Sequence, residues 1–280
     1  MSLLADLLST VFERRYLWPG GGQRDSRPIS ELAEDLVGSA GETSGLMLAQ
    51  EVISGFEGLE DEEKLAFFTH IANQLNIDPE AVRNGLDAYK QAPSKDSYRT
   101  FMAAVEPRRQ ELIRRLNRVP GATGALVRMR ADLLRLGRGI PELEALDQDF
   151  RHLFASWFNR GFLVLRPINW QSPANILEKI HAYEAVHAID SWDDLRRRLQ
   201  PADRRCFAFF HPAMPDEPLI FVEVALTKGI PGSVQALLTE DRTPMTADEA
   251  DTAVFYSISN CQAGLASISF GNSLIKQVAA

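Results

Sequence analysis

The sequence predicts an α+β protein in which a helical region precedes a region of mixed strands and helices. The first 160 residues repeat apolar side chains at helical spacing and carry almost no strand pattern. After Gly161, short β-rich segments alternate with capped helical segments. We therefore expect two domains, a helical bundle of residues 1–160 and a second domain of residues 161–280.

The helical region is expected to be a bundle of seven or eight antiparallel helices, because its apolar stripes repeat and its loops are short. Residues 1–18 have the pattern of an amphipathic helix. Asp78 is a predicted cap, with Pro79 at the first helical position. The remaining predicted helices lie in ISELAEDLVG, LEDEEKLAFFTHIANQLNI, SKDSYRTFMAAV, two arginine-rich segments that Pro120 separates, and IPELEALDQDFRHLFASW.

The second region is expected to run strand, helix, helix, hairpin of two strands, strand, loop and helix. Its first strand lies in GFLVLRPINW, and Ser172 and Ser191 are predicted caps of the two helices that follow. The predicted hairpin pairs residues 206–211 with residues 218–227 across a proline-rich turn. SVQALL fits a short helix or a strand, and a last strand follows TADEAD.

The composition of the chain excludes several classes of protein. Only two cysteines occur, Cys206 and Cys261, so a disulfide framework and a multi-thiolate zinc site are excluded, and both are expected to be reduced core thiols. The apolar runs are too short to span a bilayer, and we recognise no signal peptide. We therefore expect a cytoplasmic protein that has no membrane partner.

Arginine is concentrated in residues 107–138, beside leucines at helical spacing. This pattern is typical of two amphipathic helices with solvated or subunit-facing arginines. Together with the net charge of -8, it argues against nucleic acid as a partner. We expect a homo-oligomer that assembles through the helical domain.

The closing stretch, FYSISNCQAGLASISFGNSLIKQVAA, reads as a strand, a loop of small residues and a helix start. Such a loop can expose backbone N–H groups near the positive end of a helix dipole, where a phosphate binds. Gly264, Ala266, Ser267 and Gly271 keep large side chains out of the way. A tight turn without a ligand would use the same residues, so both interpretations stay open at this point.

No other motif defines a catalytic or metal site. The chain has five histidines, and Glu184 with His187 has the spacing of half a di-iron site but lacks a second Glu-x-x-His. His211 lies where a strand meets a turn. We predict no metal site, and we identify no Ser–His–Asp order and no P-loop.

The hairpin and the last loop together resemble the malonyl-CoA decarboxylase family. The matching segments are FFHPAMPDEPLIFVEVALT and AVFYSISNCQAGLASISFGNSLIKQV, and RADLL, residues 130–134, matches in the helical half. The resemblance implies a helical domain followed by a domain of the GNAT acyltransferase fold, of which residues 161–280 would form the first part. In that fold the loop after the fourth strand holds the diphosphate of coenzyme A.

Carried over by position, the acyl-CoA-binding residues of the family are Ala266, Ser267, Ile268, Ser269, Phe270, Gly271 and Asn272, beside Gly264 from the loop pattern. Ala266 and Ser267 stand where the family often has a Gln-Gly pair.

The resemblance also implies where the catalytic groups lie. The family's serine lies in SPxPGF and its histidine in FHLxNGA, and neither string occurs here. We therefore expect both groups beyond Ala280, the last printed residue, and no catalytic residue in this chain. We interpret the chain as a truncated form that is inactive alone.

The resemblance thus implies a decarboxylase of fatty acid metabolism that converts malonyl-CoA to acetyl-CoA and CO₂. No cofactor is required, because the thioester of the substrate is itself the electron sink. The alternative is a non-catalytic acyl-CoA-binding or oligomerisation module. A GNAT acetyltransferase fits less well, since no segment resembles an acceptor site.

Overall fold

The computed structural model describes residues 27–239, 241–270 and 274–279. Its elements fall into two compact units, one ending at Ala122 and the other beginning at Thr123. Within the described residues, helices come first and no strand precedes Val164. The predicted α+β class is therefore confirmed. The predicted domain division at Gly161 stays a prediction, and the helix predicted for residues 1–18 lies outside the described residues.

The first unit contains six described helices, and a seventh begins where it ends. Their bounds are α1 Ile29–Gly38, α2 Glu42–Glu57, α3 Asp61–Gln74, α4 Pro79–Gln91, α5 Lys95–Val105 and α6 Arg108–Leu116. Asp78 caps α4 as predicted, because its Oδ1 accepts a 2.9 Å hydrogen bond from the N–H of Glu80. Phe56, Phe67 and Phe68 pack ring against ring in the core, with centroids 5.3 to 6.2 Å apart.

Two arginines of the first unit were expected to be solvated or subunit-facing, and this expectation is wrong. Arg109 is buried, and its Nη1 donates to the carbonyl oxygen of Ala72 at 3.1 Å. Arg115 donates to the carbonyl oxygens of Leu36 and Ser39, at the end of α1. The guanidinium groups donate to carbonyls at helix ends, where the last turn has no following helical N–H groups. Their role in this unit is therefore to join helices of the same chain.

The second unit combines six described α-helices with a four-stranded sheet. Its elements are α7 Ala122–Leu136, α8 Pro141–Trp157, β1 Val164–Ile168, α9 Ala174–Tyr183, α10 Trp192–Leu199, β2 Arg204–His211, β3 Met214–Thr227, α11 Val234–Leu238, β4 Thr252–Asn260 and α12 Leu274–Ala279. The strands lie in the order β1-β2-β3-β4, and each pair is antiparallel. From β1 onward, the order of the elements along the chain is as predicted. None of the described helices is long and apolar enough to cross a membrane.

Side chains of the sheet alternate between two covered faces. On one face, α9 and α10 bury their apolar side chains against the sheet, and the residues involved are Ile176, Leu177, Ile180, Leu195, Leu199, Cys206, Ala208, Phe210 and Phe221. On the other face, Leu274 of α12 packs on Phe209, Ile220, Val222 and Val224. Apolar side chains of β2 and β3 thus point alternately to the two faces of the sheet, and each face is covered by helical residues. The loop after β4 connects these two covering layers.

The hairpin turn is shorter than predicted. Residues 214–217 belong to β3, and His211 pairs directly with Met214. A register shift between Phe209 and Phe210 brings Phe210 opposite Pro218. Proline is tolerated there because β4 pairs with β3 only from Ile220 onward, so this end of β3 has one neighbour.

The helix caps of this unit are partly as predicted. Ser191 caps α10, since its Oγ accepts from the N–H of Asp194. Ser172 is not a cap, because α9 begins at Ala174 and the Oγ of Ser172 accepts from the N–H of Asn169 in the preceding turn. SVQALL forms a helix, α11, and Ser233 caps it.

Candidate functional site

The loop after β4 is the strongest candidate site from the sequence, and the structure describes it as far as Phe270. A short 3₁₀ turn, Ala263–Leu265, follows the strand. The N–H groups of Leu265, Ala266 and Ile268 donate within the turn, to carbonyl oxygens three residues earlier.

Three positions named in the sequence-based prediction lie outside the described residues. Two of them, Gly271 and Asn272, belong to the predicted coenzyme A site. The third is Ala280, beyond which the family's catalytic serine and histidine are expected. The structure therefore does not test the placement of these catalytic groups, and that placement stays a prediction.

The predicted site residues differ in where their side chains lie. Ala266, Ser267 and Ser269 are exposed, whereas Gly264 and Ile268 are buried. Phe270 is half-buried and packs against the apolar cluster of β2, β3 and α12. A ligand that approaches the loop from solvent would therefore meet Ala266, Ser267 and Ser269 first. Whether the loop binds coenzyme A stays a prediction.

Gly264 is a glycine because a helix backbone lies against it. A β-carbon at this position would lie 1.8 Å from the carbonyl oxygen of Val127, on α7. Such a distance is far below any real contact, and the obstacle is backbone rather than a movable side chain. The sequence suggested that Gly264 leaves room for a phosphate, but helix packing is enough to explain the residue.

Ser267 has a left-handed backbone, with φ of 62°, and no other described non-glycine residue has a positive φ. This conformation costs an ordinary L-residue about 1–2 kcal/mol, and glycine adopts it freely. The family resemblance sets this serine at a position where glycine is common. The structure gives a physical reason for that preference, because the turn needs a left-handed residue at this point.

Arg130 lies beneath the loop. Only 1% of its surface is exposed, and its Nη1 donates to the carbonyl oxygens of Gly264 at 2.7 Å and Ala266 at 3.0 Å. Its Nε donates to Oδ1 of Asp147 on α8 at 2.8 Å. Arg130 was expected to be solvated or subunit-facing, and that expectation is wrong. Its partners in the loop are more than 130 residues away, so helical periodicity gave no signal of them.

A polar cluster lies where β4 enters the loop. Lys179 Nζ donates to Oε1 of Glu217 at 2.8 Å, and the side-chain amide of Gln262 donates to the carbonyl oxygen of Pro218 at 3.0 Å. Burial raises the pKa of Tyr183 above its usual value, and the neighbouring Glu217 raises it further. No sequence motif predicted a role for Lys179 or Glu217. The only available signal was that MPDEPL carries two of the three acids of the hairpin, Asp216 and Glu217.

An apolar groove adjoins the loop on the α12 side of the sheet. It encloses about 280 Å³. The residues that line it are Ile220, Val222, Ile258, Ser269, Phe270, Leu274 and Ile275. Ile258 of β4 and Ile275 of α12 are more than two-fifths exposed, so the groove is open to solvent. Small exposed residues of the loop therefore lie beside an apolar surface.

Comparison with protein families agrees with this arrangement of elements. The model of the malonyl-CoA decarboxylase N-terminal domain matches residues 75–158. The model of the malonyl-CoA decarboxylase C-terminal domain matches residues 161–280, which include the sheet and the loop. The chain belongs to the malonyl-CoA decarboxylase family.

Solved structures of malonyl-CoA decarboxylases share the fold. The enzyme of Rhodopseudomonas palustris is 53% identical, with a TM-score of 0.86, over 90% of this chain and 61% of its own. The enzyme of Agrobacterium vitis is 52% identical, with the same TM-score and the same coverage of both chains. Among curated relatives, the mitochondrial malonyl-CoA decarboxylase of Anser anser anser is 40% identical over 178 residues, 61% of this chain. The chain spans about a third of the length of that relative.

His211 has no free ring nitrogen in this malonyl-CoA decarboxylase family member. Its Nε2 lies 3.2 Å from the carbonyl oxygen of Trp157, and its Nδ1 accepts from the N–H of Ala213 at 3.1 Å. This pattern requires a neutral ring that carries its proton on Nε2. Burial lowers the pKa of His211 below its usual value, which also favours the neutral ring. The histidine thus holds the hairpin turn against the end of α8.

The other reactive groups of this region are used inside the core. Cys206 and Cys261 are buried and unpaired, as predicted, and burial raises the pKa of both thiols. Glu184 accepts hydrogen bonds from the backbone N–H groups of Val186 and His187, both at 2.8 Å. Its carboxylate also accepts from the hydroxyl of Ser257 on β4. Glu184 therefore ties the segment after α9 to β4.

Proposed function

We propose that this chain holds the coenzyme A part of malonyl-CoA, with the diphosphate at residues 264–272 and the alkyl arm along the apolar groove. One observation supports this assignment above the others. The loop leaves β4 with Ala266, Ser267 and Ser269 facing solvent, next to an open groove lined by Ile258 and Phe270. Family membership supplies the identity of the ligand.

For the whole protein we propose decarboxylation of malonyl-CoA to acetyl-CoA and CO₂. The bond between carbon 2 and the carboxylate breaks, and its electron pair moves into the thioester as an enolate. Carbon 2 then takes up a proton, and CO₂ leaves. Such a reaction needs hydrogen-bond donors at the enolate oxygen and an acid near carbon 2.

The sequence motifs that carry the family's serine and histidine do not occur among the printed residues. His211, the histidine of the hairpin, has both ring nitrogens engaged. We therefore propose that this chain contributes substrate holding rather than proton transfer. Binding that is equally strong for substrate and transition state does not by itself lower the barrier.

Two further expectations remain proposals. A cytoplasmic location rests on the sequence, while the named relatives of Anser anser anser and Mus musculus are mitochondrial. Homo-oligomerisation through the helical domain rests on its amphipathic segments, and sedimentation of the purified chain would test it.

A matched pair of substitutions at Ser267 tests the binding site. Asn and Asp both tolerate the left-handed backbone at this position, and they are nearly equal in size and shape but differ in charge. In calorimetric titration with coenzyme A, Ser267→Asn should bind within about threefold of the wild type. Ser267→Asp should bind at least about tenfold more weakly than Ser267→Asn, because its carboxylate would face the diphosphate.

Equal affinity of the two folded variants would move the diphosphate site away from this loop. Absence of any coenzyme A binding by the folded wild-type chain would overturn the proposed function of the chain as a whole. Turnover is followed separately, as acetyl-CoA released from malonyl-CoA. Release by this chain would overturn the assignment of substrate holding alone.

A further inference from the structure

Arg130 approaches the loop from the side opposite to solvent. Its guanidinium is enclosed, and it donates from one nitrogen to two loop carbonyls, those of Gly264 and Ala266. These two carbonyls flank Leu265, which is itself buried. The carbonyl oxygens on either side of Leu265 therefore face α7, and the side chain of Leu265 lies in the core.

The same helix touches the loop at a second point one turn earlier. Val127 lies against Gly264 so closely that a β-carbon on the glycine could not be accommodated. Val127 and Arg130 are three residues apart, so they lie on one face of α7. The loop thus rests on α7 through one backbone contact and one pair of hydrogen bonds.

Asp147 fixes the guanidinium in place. Its Oδ1 accepts from the Nε of Arg130, while the two loop carbonyls take Nη1. The planar guanidinium of arginine has N–H donors in several fixed directions, so it can bind the carboxylate and both carbonyls at the same time. The ammonium of lysine is a compact point charge and lacks this geometry. A buried charge without partners is costly. The buried guanidinium of Arg130 therefore needs both Asp147 and the two loop carbonyls, and loss of either would destabilise the arrangement.

We propose that Arg130, oriented by Asp147, is a positioning residue for acyl-CoA binding, because it turns the carbonyls of Gly264 and Ala266 away from the anionic ligand. This inference rests on the proposed function of the loop. A carbonyl oxygen carries partial negative charge, so an outward carbonyl would repel a diphosphate. Holding two of them inward leaves the solvent side of the loop to N–H groups and small side chains.

A positioning role would explain the arginine of RADLL, Arg130, which has no part in the proposed function by itself. It also separates Arg130 from the other arginines of the same helix. Arg135 is half exposed and pairs with Asp132 on its own helix. It therefore provides a matched control for the replacement of an arginine on α7 by lysine.

The test compares coenzyme A affinity with fold stability in the 280-residue chain. Arg130→Lys keeps the charge but not the fork, and it should weaken coenzyme A binding at least tenfold in the folded protein. Arg135→Lys, the same change at the exposed arginine, should leave affinity within twofold. Ile180→Val, a core substitution on α9, serves as a destabilised control, and its affinity should also stay within twofold.

A second readout does not need the ligand. In hydrogen exchange without coenzyme A, Arg130→Lys should speed exchange of the Leu265, Ala266 and Ile268 amides at least tenfold more than Ile180→Val does. If Arg130→Lys does not fold, Asp147→Asn replaces it, because this aspartate is one-fifth exposed and asparagine keeps an acceptor oxygen. We expect a threefold or greater loss of affinity and faster exchange of the same amides.

Unchanged affinity and unchanged exchange in the folded variant would overturn the positioning role while leaving the proposed function intact. Faster exchange with unchanged affinity would also overturn it, since loop order would then not govern binding. If the wild type binds no coenzyme A, the proposed function fails. This inference, which rests on that function, then fails with it, even if the exchange result shows that Arg130 holds the loop.

Discussion

The carboxylate of Glu223 and the guanidinium of Arg198 face each other inside the second unit, 3.5 Å apart at Oε2 and Nη1. Glu223, on β3, has no measurable exposure, and its Oε1 has no hydrogen-bond partner among the residues that the structure describes. Arg198, on α10, also donates to the carbonyl oxygens of His187 and Ala188 and to Asp194. The arginine is therefore well satisfied, and the glutamate is not.

The pH dependence of stability should reveal this imbalance. Burial raises the pKa of Glu223 from 4.5 to about 7, although Arg198 lowers it and Glu184 raises it further. The folded state therefore holds the proton more tightly than the unfolded state, so this group stabilises the fold below pH 4.5. That contribution is lost as pH rises through about 7.

Glu223→Gln should abolish the loss of stability that Glu223 causes in the wild type as pH rises. We expect the free energy of unfolding of the variant, relative to the wild type, to increase by about 2–3 kcal/mol between pH 5 and pH 8. Urea unfolding at both pH values measures it, with the exposed Glu178→Gln on α9 as control. The groups that face Glu223 from neighbouring elements are Arg198, Glu184, Tyr256, Cys206 and Arg204. A difference that does not change with pH would show that Glu223 titrates normally.

Gly264→Ala should strongly destabilise the second unit. The added methyl group would overlap the carbonyl oxygen of Val127, and the helix backbone cannot move aside cheaply. We expect a loss of about 3 kcal/mol or more in thermal or urea unfolding. Gly232→Ala is the control, because a β-carbon there meets no atom within 4 Å, and its stability should change by less than about 0.5 kcal/mol. Equal effects of the two substitutions would refute the packing explanation.

Ser267→Gly should stabilise the fold by about 0.5–1 kcal/mol. Relief of the left-handed conformation exceeds the entropy that glycine adds to the unfolded chain. Ser269→Gly, two residues later and without a positive φ, should be neutral or destabilising. Differential scanning calorimetry distinguishes the signs, and a destabilised Ser267→Gly would mean that the loop does not hold a left-handed residue in solution.

Glu184→Ala should cost about 3 kcal/mol, because it leaves two backbone N–H groups and a buried hydroxyl without their acceptor. Glu184→Gln should cost less, since one oxygen remains. Glu178→Ala, at an exposed site on α9, should change stability by less than about 0.5 kcal/mol. The comparison uses urea midpoints, and a cost below about 1 kcal/mol for Glu184→Ala would argue that water replaces the carboxylate.

Local signals predicted much of the fold. Ser191 and Asp78 cap helices as their sequence neighbours require, and Pro120 separates α6 from α7. The helix α2 was missed, because its glycines and serines weaken the local pattern. Its stability comes instead from burying Ala49, Val52, Ile53 and Phe56, which is a tertiary effect.

One part of the candidate site was also predictable from local sequence, and another part was not. Small residues after an apolar strand marked the loop, since any tight strand-to-helix turn needs them. The support beneath the loop was not predictable, because the contact of Arg130 with Gly264 spans 134 residues. Helical periodicity predicts which residues share one face of a helix. It does not predict which distant carbonyl groups will contact that face.

The position of Arg130 bears on how this protein can be divided for study. Contacts within the chain group α7 and α8 with the sheet, so a fragment that begins at Thr123 retains the arginine, its aspartate and the loop together. A fragment that begins at Gly161, where strand patterning starts, would have an intact sheet and an unsupported loop. The change in secondary structure along the sequence and the start of the second compact unit are then 38 residues apart, counted from Thr123 to Gly161.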